Sequence, residues 1–267
     1  MNQHVFVLQL PWLHQLGIIF GILVARSIVV AGGSSWWLRV SEWARSRQIV
    51  PGTISGRALA IEALHGFKIL FVDAAFTVIL IKAGVMHLVA GTDVQTWVMF
   101  SIMFIWTEIY FYASHRFLHH PKLFWIHRYH HQANLVNPWT SVSFSVTERL
   151  ILLAGTNLLP AIISYWIPLP VEGFAGYFAF NYLLNVYGHL NAEFIPPMLV
   201  KSPIGQVVNA TTYHTLHHMR YRGHFGLFTS QLDKLFGTYF PDYEAVQEKN
   251  YLKGQESRFA RLLRTWR

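Results

Sequence analysis

The chain of 267 residues has no cysteine, which excludes disulfides, thiolate nucleophiles, cysteine-bound iron–sulfur clusters and thiolate zinc sites. Charge is scarce as well. Asp, Glu, Lys and Arg together make up 13% of the residues, where a soluble domain carries about 25%. The deficit falls mainly on the acids, 13 against 21 basic residues, for a net charge of +8 and a pI near 9.8. Those basic residues are scattered through loops and the tail and form no groove, so nucleic acid is not an expected partner. Positive loops on the cytosolic side of a membrane, touching anionic lipid, account for the excess better. The sequence has no Walker-type loop, G-x-G-x-x-G fingerprint, internal repeat or low-complexity tract, so any nucleotide cofactor acts through another protein.

Apolar residues are abundant, at 53% with 16% aromatics. Leu16–Gly32 carries only Arg26; Phe67–Gly91 carries Lys68, Asp73 and Lys82; Thr96–Tyr112 carries only Glu108. Each is long enough to span a bilayer. The first run lacks a basic leader and a small-residue cleavage site, so it is expected to be retained as a span. Two further runs, Leu150–Ile167 and Val171–Tyr187, flank Pro168-Leu-Pro170 and predict a helical hairpin whose turn lies at the far surface or inside the bilayer. The expected fold is an all-α integral membrane protein with about four or five transmembrane helices, read as a single domain over residues 1–267. No Lys or Arg precedes Arg26, while Arg39, Arg45, Arg47 and Arg57 follow the first span. The positive-inside rule puts that link on the cytosolic side, and counting spans forward puts 115–131 and everything after the fifth run there too. The tail from Lys249 to Arg267 reads as an amphipathic surface helix, with a solvated helix end or a docking surface for an acidic redox partner as alternatives.

Eleven of the 15 histidines fall between positions 115 and 224. They form His115-Arg-Phe-Leu-His119, His127-Arg-Tyr-His130-His131 and His214-Thr-Leu-His217-His218, with His189 alone between the last two. On a helix, residues three and four apart share a face, so each cluster is expected to project its imidazoles to one side. Eight or nine histidines exceed what one ion uses, which implies two metal ions, or one ion and much redundancy. Imidazole suits iron, zinc, copper and nickel alike. His4, His14, His65 and His87 read as ordinary side chains, and His120 and His224 as either ligands or supports for a ligand. Glu148, Glu108 and Asp73 lie in or near apolar runs, where an ionisable group is costly unless paired. They are candidates to hold metal-bound imidazoles or to pair with Arg149 or Arg116. Tyr110, Phe111, Tyr112, Trp125, Trp139 and Phe144 either line a lipid cavity or anchor at the interface.

These residues resemble the fatty acid hydroxylase and sterol desaturase superfamily over positions 108–243. The resemblance rests on Tyr110-Phe-Tyr-Ala-Ser-His115-Arg-Phe-Leu-His119, His127-Arg-Tyr-His-His131, Asn137-Pro-Trp before Glu148, Gly188-His189, Tyr213-His-Thr-Leu-His-His218 and Asp233-Lys-Leu-Phe-Gly-Thr238. It implies a cytosolic histidine-rich helical cap over the spans, two iron ions, O₂ as co-substrate and a lipid as substrate. Carried over by motif position, the metal ligands are His115, His119, His127, His130, His131, His189, His214, His217 and His218. Some members have a second histidine four residues after the one matching His189. Here that position is Glu193, which is expected as a tenth ligand through oxygen. Hydroxylation, desaturation and aldehyde processing of a sterol or fatty acyl chain all belong to this resemblance. A separate electron donor is expected (ferredoxin, flavin reductase or cytochrome b5-like), in a bacterial inner membrane or the endoplasmic reticulum. The alternative from another class is a membrane metal-handling protein, for transport or sensing.

Overall fold

A computed structural model describes residues 6–91, 93–133 and 135–265, with side chains through 255 except those of Phe6 and Asp93. Among the described residues, four helices are long and apolar enough to cross a membrane: Trp12–Val40, Gly56–Lys82, Val94–Leu118 and Val146–Ser164. The first, α1, contains a π-helical turn at Ile28–Gly32. The second, α2, starts where Ser55 Oγ accepts the Ala58 N–H, about ten residues before the expected apolar run, and its 27 residues reach roughly 40 Å. The third, α3 (Asp93–Leu118), carries His115 in its last turn, and α4 (Val146–Ser164) is capped by Ser145 accepting the Glu148 N–H. A fifth apolar helix, α5 (Val171–Gly188), is not among the four spanning candidates. After it come α6 (Thr211–Arg220) and α7 (Tyr243–Thr265). The tail is thus helical to Thr265, but the side chains that would make it amphipathic, from Arg258 on, lie outside the described residues, as does His4.

The outward faces of the spans are apolar, with Ile22, Val29, Ile79, Ile105 and Leu158 all exposed, as suits a lipid solvent. The expected hairpin forms in altered fashion. α3 packs against both α4 and α5, so the hairpin's two arms embrace α3 instead of each other. The α3–α4 contact is close because Gly155 has no side chain. A Cβ there would sit 1.7 Å from Tyr110 Cζ, whose hydroxyl donates to Ile151 O. The Pro168-Leu-Pro170 turn lies beside the link between α2 and α3, where β1 (Leu88–Val89) pairs in parallel with β2 (Leu169–Pro170). At the other end, the link after α1 meets the chain after α5. Ile49 N donates to Asn191 O, and Glu193 N donates to Arg47 O. Asp73 on α2 and Arg149 on α4 form a two-pronged ion pair at 2.6 and 2.7 Å, which settles their role as mutual neutralisation inside the bundle.

Candidate metal centre

The nine histidines gather at one end of the bundle in two groups. One holds His115, His119, His127, His131 and His217; the other holds His130, His189, His214 and His218. Within each group the candidate ligand atoms lie within 4.8 Å of one another. The grouping corrects the one-face expectation. His127 and His131, four apart, enter the first group while His130 enters the second; His214 and His218, four apart, enter the second while His217 enters the first. Residues four apart differ by only about 40° around a helix, whereas a third lies about 60° to the other side, enough to aim at a neighbouring centre. Each H-x-x-H-H motif therefore serves both groups. The middle motif is also not one helix: Phe124–His127 ends at its first histidine and His130–Gln132 is a 3₁₀ turn.

Five outer ring nitrogens are committed to acceptors. His115 Nδ1 meets Phe225 O at 2.9 Å, His217 Nδ1 meets Gly223 O at 2.8 Å, His189 Nδ1 meets Asn185 O at 2.7 Å and His130 Nδ1 meets Ser143 O at 3.3 Å. His127 Nδ1 meets the buried Glu148 carboxylate at 2.6 Å. An imidazole that donates from Nδ1 presents a bare lone pair at Nε2. The bare Nε2 atoms of His189 and His130 face each other at 3.4 Å; His189 also faces His214 Nε2 at 3.0 Å, and His127 and His217 face His131 Nε2 at 3.0 and 3.3 Å, where the Nδ1 atoms of His214 and His131 are buried without a partner among the described residues. The buried Nε2 of His115 likewise has no partner among the described residues. Protonation is no remedy. Burial first, and then the neighbouring rings, hold His130, His131, His214, His217 and His218 well below the ordinary histidine range. Burial also takes His189 down to about 4 and, with His127, His119 to about 3. Neutral, buried nitrogens converging in two groups suit cations, so the residues fit a pair of metal ions.

Glu193 stands apart from both groups. α5 ends at Gly188, and Asn191 has a φ of 53°, so position 193 no longer lies one helical turn beyond His189. Its Oε2 accepts the N–H and hydroxyl of Thr212 at 3.1 and 2.7 Å, and its Oε1 accepts the Ile195 N–H at 2.9 Å. It caps the first turn of α6, and burial raises its pKa. His224 does not ligate either: Nε2 accepts the Phe240 N–H at 3.0 Å, so Nδ1 donates to Tyr213 O. Its ring stacks on Tyr213 at 3.7 Å. His120 is exposed and accepts the Lys122 N–H. His65 is half-buried and meets Phe144 O, while His87 is exposed, as expected of an ordinary side chain, and meets Ser164 O.

The supporting carboxylates divide the work. Glu148 holds His127, and Glu108 accepts the Phe228 and Thr229 N–H groups at 3.1 and 3.0 Å. Asp233 accepts from Phe225 N, Gly226 N, Tyr213 hydroxyl and Thr238 hydroxyl, all within 2.8 Å. It thereby fixes the loop whose Gly223 and Phe225 carbonyls hold His217 and His115. Gly226 is needed there, since a Cβ would lie 2.2 Å from Thr229 O. The sequence signal for Asp233 was its place at the head of Asp233-Lys-Leu-Phe-Gly-Thr238, a motif that carried the family resemblance without assigning the acid a role. Tyr221 and His224 bracket this loop at φ values of 64° and 57°, strain held beside the centre. Of the six aromatics, Phe111 and Phe144 pack on the His115 and His130 rings and join Ile69 and Leu152 in an apolar wall. Tyr112 and Trp139 are buried, and Trp125 is 61% exposed.

A fatty acid hydroxylase family model matches residues 100–238. The chain is 29% identical to very-long-chain aldehyde decarbonylase CER1 of Arabidopsis thaliana over 56% of this chain and 24% of that protein. It is 30% identical to very-long-chain aldehyde decarbonylase GL1-4 of Oryza sativa subsp. japonica over the same shares. To Delta(7)-sterol 5(6)-desaturase ERG3A of Gibberella zeae it is 28% identical, over 52% of this chain and 37% of that one. The matched segment thus spans about a quarter to a third of these relatives' lengths. No solved structure matches the chain.

Proposed function

The chain belongs to the fatty acid hydroxylase family, and on that premise we propose that it is a membrane-bound oxidoreductase acting with O₂ on a lipid. The observation that carries this reading is the convergence of nine imidazoles in two tight groups at one end of an apolar bundle. His115, His119, His127, His131 and His217 would hold one iron, and His130, His189, His214 and His218 the other. Bound there, the irons would supply activation of O₂ and oxidation of an unreactive carbon. The protein's own residues do the rest. Glu148 keeps the proton of His127 on Nδ1 and so directs its Nε2 inward; the Phe225, Gly223, Asn185 and Ser143 carbonyls do the same for their rings. Ile69, Phe111, Phe144 and Leu152 exclude water on the membrane side of His115 and His130. Aldehyde processing is the reading favoured by the decarbonylase relatives, and hydroxylation or desaturation by the family model and the desaturase. A metal-transport role would require ligands along the spans, and the nine histidines are concentrated at one end. The positive link after α1 meets that same end, which supports a cytosolic centre with electrons delivered by a separate donor.

The test is metal analysis of detergent-purified protein grown with iron, beside oxygen consumption with long-chain alcohols, aldehydes and sterols plus a reductase. About two irons per chain and lipid-dependent oxygen uptake are expected. A protein without metal, or holding zinc that iron does not displace, overturns the reading.

A further inference from the structure

A cleft of about 500 Å³ opens beside the second histidine group, within the size range of small-ligand sites. Its walls come from the start of α2, the turn carrying His130 and His131, and the segment before α4. Ile54, Ala58, Ile61 and Leu135 make one part apolar, while Ser55, Tyr129, Gln132 and Glu62 make the other polar. Ser143, also in the wall, is the residue whose carbonyl holds His130 Nδ1. The cleft and the second group are therefore two sides of one short turn.

Charge in this cleft is selective. Among the described residues lining it, Glu62 alone is ionisable at neutral pH, and no Lys or Arg is present. Glu62 Oε2 accepts from Asn137 Nδ2 at 2.6 Å and from the Thr140 hydroxyl at 3.5 Å, which fixes the carboxylate and leaves Oε1 as an acceptor for a ligand. A carboxylate or phosphate headgroup would face this charge, and the Arg39 guanidinium, outside the lining, is engaged by Ile54 O at 2.8 Å. A hydroxyl would donate to the Glu62 carboxylate. The apolar side leads outward: Ile61 lines the cleft and is 55% exposed, and Leu64, next along the same face of α2, is 61% exposed toward what the spans present to lipid.

We propose that this cleft binds the polar end of a neutral lipid carrying a hydroxyl, with Glu62 accepting its hydrogen bond and the chain running out along Ile61 and Leu64. This deepens the proposed function by naming the class of lipid and rests on it for the link to turnover. Free fatty acids and phospholipids are selected against by the same carboxylate.

The experiment uses the full chain in detergent with two unreactive photoprobes, a diazirine-bearing hexadecanol and the matching hexadecanoic acid, and maps the labelled residues by mass spectrometry. The alcohol is expected to label residues 53–62 and 129–135, with about a tenfold preference over the acid. Ile61→Trp, a filling change at a half-exposed position, should remove most of that labelling with metal content unchanged. Glu62→Gln, which retains a carbonyl acceptor, should erase the preference between the probes while leaving the labelled positions the same. Equal labelling by acid and alcohol in the parent, labelling that Ile61→Trp leaves intact, or labelling confined to the outer faces of the spans overturns the proposal. Oxygen uptake is read on the same preparations. Labelling as expected without lipid-dependent uptake would break the oxidase reading and keep the cleft; uptake with misplaced labelling would do the reverse.

Discussion

The two histidine groups are built from the same motifs yet differ in how they are completed. The first takes two pairs spaced by four, His115/His119 and His127/His131, and adds His217. The second takes one such pair, His214/His218, and adds His130 and His189. Its missing partner is at position 193, where the chain has already turned at Asn191 and spends the carboxylate on Thr212 and Ile195. The outer supports differ too. The first group is held by Glu148 and by a loop that Asp233 ties down, the second by the carbonyls of Asn185 and Ser143. Five imidazoles would leave less of an ion's coordination open than four. The second group would accordingly have more room for an exogenous molecule, and its His130 shares with His131 of the first group the turn that borders the cleft.

Removing a ring from each group sharpens this contrast most. His218→Ala leaves three histidines in the second group, and metal content by mass spectrometry should fall by about one ion per chain with turnover reduced at least about a hundredfold. His217→Ala leaves four in the first and should retain more metal than His218→Ala; equal loss in the two would erase the distinction. Next in size is Glu148→Gln. Metal affinity, read by competition with a chelator, should drop about 10- to 100-fold at one ion while the other stays bound.

A smaller effect is expected from pH. The unfolded chain takes up protons near 6.5, whereas the folded one resists until about 4 at His189 and about 3 at His119. Between those values the unfolded state binds more protons. Stability of the metal-free protein is therefore fully present above about 6.5 and is lost as pH falls toward 4. Thermal unfolding followed from pH 7.5 to 4 checks this, and a flat profile contradicts it. The smallest change is Glu193→Gln. It weakens the cap on α6 by about 1–3 kcal/mol, seen as a lowered Tm, with both ions retained; loss of one ion would return Glu193 to the ligand set.

Much of the candidate site was legible in the sequence because metal ligation demands particular residue types at helical spacing. The nine histidines named from their motifs are the nine that the fold assembles. Glu148 was visible as an acid at the start of an apolar run, though not which ring it would hold. Asp233 was invisible in its role, since its four donors come from residues 213 to 238 brought together only by folding. The start of α2 was misplaced because hydropathy sees the apolar run and not the Ser55 cap upstream of it.

By itself the sequence determined an all-helical membrane bundle, since apolar length and scarce charge leave few other ways to satisfy a backbone in lipid. It also determined that histidines would converge, because their spacing repeats the helix turn. Which histidine joins which group, that Glu193 turns away, that α3 lies between the arms of the hairpin, and that a carboxylate faces an otherwise uncharged cleft were decided only by the tertiary structure. Each depends on where a helix stops and what packs against its end, and contacts between segments a hundred residues apart leave no local trace in the chain.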